Sequence, residues 1–248
     1  MKTYFITSDI HSFYTIFIDE LLAKGFDPNN KDHILIICGD VFDRGDESLN
    51  LLNFIYELYK QNRLIYIKGN HEDLLEECLN QLELKVNISS YHIYNKTIDT
   101  IAQITGVNKY DLICGVYNYK KDIQSKFKKY FEIPKLNYYI LNNYVFVHGW
   151  LPEKLLSLAD IDNINDGDWS EARWTNGIKA WEEGKTYKDV TVVCGHWHTN
   201  EANKKYHNLG SGKFDEYGDF SPFKDTGIID LDACTAFSNQ VNIEVITV

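Results

Sequence analysis

A chain of 248 residues with 44% hydrophobic content is long enough to bury one full core or two small ones. Its formal net charge of -11 argues against a nucleic-acid polymer as partner, because backbone binders carry a basic face. That charge leaves room for a compact phosphorylated substrate held by a local cationic or metal site. Five cysteines (Cys38, Cys78, Cys114, Cys194, Cys234) are scattered without a CxxC, the usage of reduced thiols in a cytoplasmic protein. The N-terminal MKTYFITSDIH turns polar too early for a signal peptide, and no apolar run nears the ~20 residues of a membrane span. A soluble, intracellular protein is expected.

In chain order, KTYFITSD reads as a strand ending in polar residues. SFYTIFIDELLAKG follows with helical spacing, Ser12 as N-cap and Gly25 as C-cap. HILIICGD is a second strand and ESLNLLNFIYELYKQ a second helix. RLIYIKGN is a third strand and EDLLEECLNQLE a third helix. This alternation predicts βαβ units and a largely parallel sheet, whose ligands bind beyond the carboxyl ends of the strands.

Residues 84–135 are rich in Asn, Lys and Tyr, with helical spacing in TIDTIAQITG and KKDIQSKFKKYF. They are expected to form a helical insert within one domain spanning 1–248. YYILNNYVFVHG reads as a hairpin turning at Asn142-Asn143, SEARWTNGIKAWEEG as partly helical, and DVTVVCGH as another buried strand. The polar stretch TNEANKKYHNLGSGKFDEYGDFSPFKD is too long for an ordinary connection and is expected to be functional or mobile. The tail GIIDLDACTAFSNQVNIEVITV reads as two antiparallel strands turning near Ser238-Asn239.

The residues just after each strand form a set. Asp9 and His11 follow the first; Asp40, Asp43 and Arg44, in GDVFDRG, follow the second; Asn70, His71 and Glu72 follow the third. His148 in VHG, then His196 and His198 in GHWH, follow later strands. Carboxylates at a strand end are costly unless something pairs with them. Asp, Asn and His suit Mn²⁺, Fe²⁺ or Zn²⁺ better than a thiolate-bound ion. There are too many for one ion, and a carboxylate such as Asp40 can bridge two ions about 3.5–4 Å apart. A lone DxH, GNHE or VHG is ordinary; a complete ordered set, each member at a strand end, is not.

This set resembles the calcineurin-like metallophosphoesterases. GDVFDRG with GNHE looks like their phosphoprotein phosphatase branch, which includes Ser/Thr protein phosphatases and symmetrical bis(5'-nucleosyl)-tetraphosphatases. The resemblance implies an α/β sandwich of two mixed β-sheets flanked by helices. It implies Asp9, His11 and Asp40 as ligands of one metal, and Asp40, Asn70, His148 and His196 as ligands of a second. His198 is expected to join the first, as the second His of GHxH does in the wider family. His71 resembles the general acid, Asp43 its orienter and Arg44 a phosphate clamp. Arg173, the one arginine between the last two histidine motifs, stands for a second clamp. The family's GDxHG is SDIHS here, with Ser8 and Ser12 in place of two glycines, and GHW looks like the tetraphosphatase branch.

The resemblance implies a metal-dependent phosphatase using hydroxide activated by two divalent ions, with manganese the leading candidate and iron or zinc alternatives. Hydrolysis of phosphoserine or phosphothreonine in a phosphorylated protein is the leading expectation. Hydrolysis of a dinucleoside polyphosphate or another small phosphorylated nucleotide is the alternative. A nucleotide substrate needs stacking aromatics and a basic groove, for which Lys204, Lys205, Tyr206, Lys213 and Phe214 are candidates.

Overall fold

Strict alternation along the first strands creates two cores at once. The computed structural model describes residues 1–248. In β1 (Thr3–Thr7), Tyr4 and Ile6 face one side and Phe5 the other; in β2 (His33–Cys38), Ile34, Ile36 and Cys38 oppose Leu35 and Ile37. Side chains of a strand point to opposite faces in turn, so strands apolar on both must be covered on both. β3 (Leu64–Ile67) pairs parallel with β2, and β2 parallel with β1. The connecting helices α1 (Tyr14–Ala23), α2 (Ser48–Lys60) and α3 (Asn70–Leu84) cover the outer face. There Phe17, Leu21, Leu51, Ile55, Leu75 and Leu79 pack with Phe5, Leu35 and Ile37.

Four short helices extend that layer: α4 (Ser90–Tyr94), α5 (Thr97–Thr105), α6 (Lys109–Ile113) and α7 (Lys128–Glu132), with a π-helical turn over Tyr119–Gln124. Ile98, Ile101, Leu112, Ile123 and Tyr130 from this stretch join the same core. The hairpin of β4 (Tyr139–Leu141) and β5 (Tyr144–Phe146) turns at Asn142, whose φ is +54°. After it come α8 (Asp166–Ala172), α9 (Gly177–Glu182), β6 (Thr191–Cys194), α10 (Asn200–His207), β7 (Phe223–Asp225), β8 (Ile228–Asp230), α11 (Thr235–Ser238) and β9 (Glu244–Thr247).

The first sheet has the order β3-β2-β1-β9 and the second β4-β5-β6-β8-β7. The first is parallel except for its edge strand β9, and the second is parallel through β5, β6 and β8 with antiparallel edges β4 and β7. Between the sheets, Tyr4, Ile6, Ile36 and Cys38 meet Phe146, Val193, Ile229 and Leu231. Outside the second sheet, Trp169, Ala172 and Ile178 pack on Val145, Val192 and Ile228. The fold is the expected α/β sandwich of two mixed sheets flanked by helices. No helix is long and apolar enough to cross a membrane.

Two local expectations fail and a third is narrowed. The tail strands β8 and β9 do not pair with each other. β8 lies beside β6 in the second sheet, and β9 runs antiparallel to β1 in the first, with α11 between them. Two apolar runs separated by a turn signal look like a hairpin in sequence, and only the presence of two sheets sends them apart. Ser12 does not cap α1: its hydroxyl turns to the Ser48 hydroxyl at 2.8 Å, and Glu47 Oε2 accepts from the Thr15 amide at 2.9 Å in its place. The polar stretch after GHWH is neither featureless nor loose. It forms α10 and β7, and the amide of Asn203 donates to the Ser221 carbonyl at 2.8 Å. A short helix that buries Asn200, Ala202 and Asn203 gives no apolar periodicity to read.

Candidate active site and metal centre

The carboxyl ends of β1, β2, β3, β5, β6 and β8 open onto one cavity of about 360 Å³. Its floor carries Asp9, Asp40, Asn70, His71 and His196, and Arg44 is the only arginine or lysine that lines it. The loops that deliver these side chains are sharply bent. Asp9, His11, Ser12, Asp40, Asp43, Arg44 and His196 all have φ between +52° and +74°. Non-glycine residues enter that region at a cost, and such residues concentrate where function demands a special side-chain direction. Ser12 therefore takes, at φ +61°, a turn conformation suited to glycine. Glycine remains where backbones touch: a Cβ on Gly69 would lie 2.2 Å from Asp40 Oδ1, and one on Gly39 would lie 2.6 Å from His148 Nδ1.

Two groups of electron-pair donors converge there. His11 Nδ1 donates to the Phe42 carbonyl at 2.9 Å, which turns the Nε2 lone pair inward. Asp9 Oδ1 and Asp40 Oδ2 each lie 3.8 Å from that Nε2, and neither oxygen accepts a hydrogen bond. In the second group, His148 Nδ1 donates to the Cys38 carbonyl at 2.7 Å. Its Nε2 then faces Asp40 Oδ1 at 3.3 Å and Asn70 Oδ1 at 2.8 Å. One atom each of Asp40, His148 and His196 fall within 4.8 Å of one another. The first group converges with no proton between its acceptors, which suits a cation. In the second, a cation would replace the proton on His148 Nε2; Asp40 offers one oxygen to each group. His71 also lies within reach of His11 and Asp40. Its Nε2, however, faces the Arg44 guanidinium at 3.2 Å, where a second positive charge is repelled, so Asp9 completes that donor set better.

The electrostatics carry the same mark. Burial lowers the proton affinity of His148, but the charge and hydrogen bond of Asp40, with Asp9 and the Cys38 carbonyl, together outweigh it and hold the imidazole up at about 10. A proton thus takes the place of a cation. Burial, then the His148 charge, drives His196 down to about 4 and keeps it neutral, as a ligand must be. Burial, then Asp232, pushes Asp9 up to about 7. His71 Nδ1 pairs with Asp43 Oδ2 at 2.8 Å. Burial opposes protonation of His71, yet Asp40 and Asp43 together raise its affinity for a proton.

Two expected site residues stand apart. His198 lines the cavity, but its Nδ1 is held by Asp232 Oδ2 at 2.8 Å, which leaves Nε2 as the atom for any ligand bond. Arg173 is buried and does not line the cavity. It donates to Asp73 at 2.7 and 3.1 Å and to Asn137 at 3.0 Å, and its neighbour Trp174 reaches the cavity instead. Asp232 was not singled out from the sequence, although it follows β8 as the other motifs follow their strands. Reading the tail as a hairpin hid it. Glu72 looked like an ordinary first-turn acid. It accepts from the backbone of Asp40 (2.9 Å), Val41 (3.0 Å) and Gly69 (2.7 Å) and from the Tyr66 hydroxyl (2.8 Å), tying the second motif to the third.

Two outcomes follow from this geometry. Glu72→Ala strands three buried amides, so its unfolding free energy should drop by about 3 kcal/mol or more, read as a lower denaturation midpoint. Glu72→Gln keeps one acceptor oxygen and should lose less; equal losses would deny Glu72 its tying role. The second outcome concerns pH. Asp9 has a raised folded-state pKa, so its stabilising contribution is present below the ordinary carboxylate range and is lost as pH rises through about 7. A cation must displace that proton. The rise in Tm produced by Mn²⁺ should therefore be larger at about pH 8 than at about pH 6. A rise independent of pH would remove Asp9 from the metal centre.

Known proteins resemble this chain over most of its length. The family model for calcineurin-like phosphoesterases matches residues 2–221. The asymmetrical bis(5'-nucleosyl)-tetraphosphatase PrpE of Bacillus subtilis is 25% identical, over 96% of this chain and 88% of its own. The symmetrical bis(5'-nucleosyl)-tetraphosphatase of Wigglesworthia glossinidia brevipalpis is 32% identical, over 84% of this chain and 89% of its own. Among solved structures, the cold-active protein-tyrosine phosphatase of a psychrophilic Shewanella shares the fold at TM-score 0.53 and 15% identity, covering 99% of this chain and 75% of that one. A sandwich of two sheets, a converging set of Asp, His and Asn at its strand ends, and a match over most of its length place this chain in the calcineurin-like phosphoesterase family, as a hydrolase of phosphate esters.

Proposed function

We propose that the protein hydrolyses dinucleoside polyphosphates, with diadenosine tetraphosphate as the model substrate, using two divalent cations, in the first instance Mn²⁺. The observation that carries this reading is the aromatic rim of the cavity. Trp174 (45% exposed), Trp197 (48%), Phe214 (48%) and Tyr91 (42%) line it and leave large faces open to solvent. Exposed aromatic faces beside a phosphate site suit nucleobases, which stack on them. The tetraphosphatase names of the relatives support the same substrate class. Of the candidates for a stacking groove, only Phe214 lines the cavity. Lys204 bonds Asn208, Lys205 pairs with Glu182, and the Tyr206 ring packs on Trp181. A phosphoserine or phosphothreonine phosphatase would use the same donor set. No feature of the rim favours a peptide over a base. The five free cysteines are in keeping with the cytoplasm as the place of action.

When bound, the cations offset the charge of the phosphoryl group and supply a water of lowered pKa. The chain's own residues do the rest. Asp9, His11, Asp40, Asn70, His148 and His196 hold the pair, with Nε2 of His198 a further donor at the rim. Arg44 presents its guanidinium to the phosphoryl oxygens, where charge is held as the bond breaks. His71, paired with Asp43 through Nδ1, presents Nε2 to the leaving oxygen and can deliver a proton there. Trp174 and Trp197 flank the His196 ring at 5.8 and 6.1 Å, so a base stacked on either lies close to the reacting centre.

Initial rates with Mn²⁺ on diadenosine tetraphosphate, a phosphoserine peptide and p-nitrophenyl phosphate test this. The highest kcat/KM should belong to the dinucleotide, chelation should abolish all three activities, and Asp40→Asn should be the most damaging single change. A higher kcat/KM on the phosphopeptide would replace the nucleotide reading with the protein phosphatase one. Trp197→Ala should raise KM for the dinucleotide about tenfold, within the range one stacked base is worth, and leave KM for p-nitrophenyl phosphate unaltered.

A further inference from the structure

The helices between α3 and β4 do more than thicken the outer layer. One of them, α5, runs along the GDVFDRG loop and stitches it at both ends. Thr97 Oγ1 donates to Asp43 Oδ2 at 2.8 Å and Thr100 Oγ1 donates to Asp43 Oδ1 at 2.9 Å. The Asp43 amide donates back to Thr100 Oγ1 at 3.0 Å. One turn further on, Gln103 accepts from the Ser48 amide at 2.9 Å and donates to the Gly45 carbonyl at 3.1 Å. Thr97, Thr100 and Asp43 are fully buried. The helix is anchored from its other side, where Ile98, Ile101 and Ile104 sink into the core. Thr97, Thr100 and Gln103, spaced by three, make a polar stripe along one face of the helix, and every member of it bonds the loop.

A carboxylate held at one oxygen can swing about its own axis, and a partner bonded to the other oxygen swings with it. Asp43 cannot swing, because each oxygen takes a separate hydroxyl from a rigid helix. Oδ2 therefore keeps one lone pair for Thr97 and one for His71 Nδ1. The imidazole plane is fixed in turn, with Nε2 directed to the cavity beside Arg44. We propose that α5 is a positioning element for the proton donor: Thr97 and Thr100 lock Asp43 so that His71 meets the leaving oxygen in one orientation. This rests on the reading of His71 as proton donor. It assigns that helix a part in the chemistry that no motif marks, and the effect of losing it falls on esters whose leaving group needs a proton.

The test compares Thr97→Val, Thr100→Val and the double variant with His71→Asn, each with its metal content measured. The substrates are p-nitrophenyl phosphate, whose phenolate leaves unaided, and phenyl phosphate, whose phenolate leaves less readily. Valine keeps the shape of threonine and removes only the hydroxyl. The ratio of kcat on phenyl phosphate to kcat on p-nitrophenyl phosphate should fall about tenfold in the double variant, a fraction of the ~10²–10⁴ that acid catalysis supplies. Thr97→Ser should restore it. Thr97 has no polar partner besides Asp43, so Thr97→Val gives the cleanest comparison if the double variant folds poorly. An unchanged ratio in Thr97→Val, at full metal content and with His71→Asn lowering the ratio, would overturn the positioning role alone. An unchanged ratio in His71→Asn would overturn the proton-donor reading and the proposal with it.

Discussion

Buried negative charge is the constraint on which the rest of the structure depends. Asp9, Asp40, Asp43, Glu72, Asp230 and Asp232 are all buried, and each lies at or just beyond the carboxyl end of a strand. An isolated carboxylate in such a place costs far more than a domain can supply, so every one must be offset. The protein offsets four of them with its own atoms. Glu72 takes three backbone amides, Asp232 takes His198, and Asp43 takes His71 with two threonines. Burial raises the proton affinity of Asp230, which accepts from the Asp232 amide at 3.0 Å and from the Cys194 thiol. What remains is Oδ1 of Asp9 and Oδ2 of Asp40, facing the lone pair of His11. The proposed metal centre therefore falls at the remainder of a charge balance, where these acceptors meet and the chain provides no donor.

That balance also explains why the motif loops are strained. Placing several carboxylates around one point requires chain reversals immediately after the strands, and those reversals put aspartate, histidine and arginine in the left-handed region. The Glu72 bonds and the α5 stripe are what hold the reversals closed. Their cost and their support come from different parts of the chain. The loops are short and local, while the atoms that secure Asp43 come from residues more than fifty positions further on. A preorganised site of this kind needs supporting residues as rigid as its scaffold, and here part of that support is the helix α5.

The rim follows another logic. Trp174 and Trp197 flank His196, and Phe214 packs its ring edge-on to His198 at 5.3 Å, so the residues beside the ligands are large, flat and partly open. Tyr91 reaches the same cavity from α4, in the stretch that also carries α5. The segment that brings Tyr91 to the wall of the site and the helix that bonds Asp43 are thus neighbours in sequence and in space.

By itself the sequence determined the alternating strands and helices of the first third, the hairpin at Asn142 and the ordered set of site residues. Each rests on chemistry local to a few positions: period-two apolar runs, turn residues, and carboxylates or histidines that no bland strand end would carry. The tertiary structure alone decided the rest. Whether β8 and β9 pair or part depends on a second sheet that neither strand encodes. Asp232 counts as a site residue only once β8 lies beside β6. Arg173 turned to Asp73 rather than to the cavity, because a guanidinium goes to the carboxylate that folding places nearest. Thr97 and Thr100 read as two more small polar residues on a helix, and their meaning comes entirely from what the core presses them against. Short-range patterns report which chemistry a chain can perform; which atoms hold that chemistry in place is set by contacts between residues far apart in the chain, and no local pattern records them.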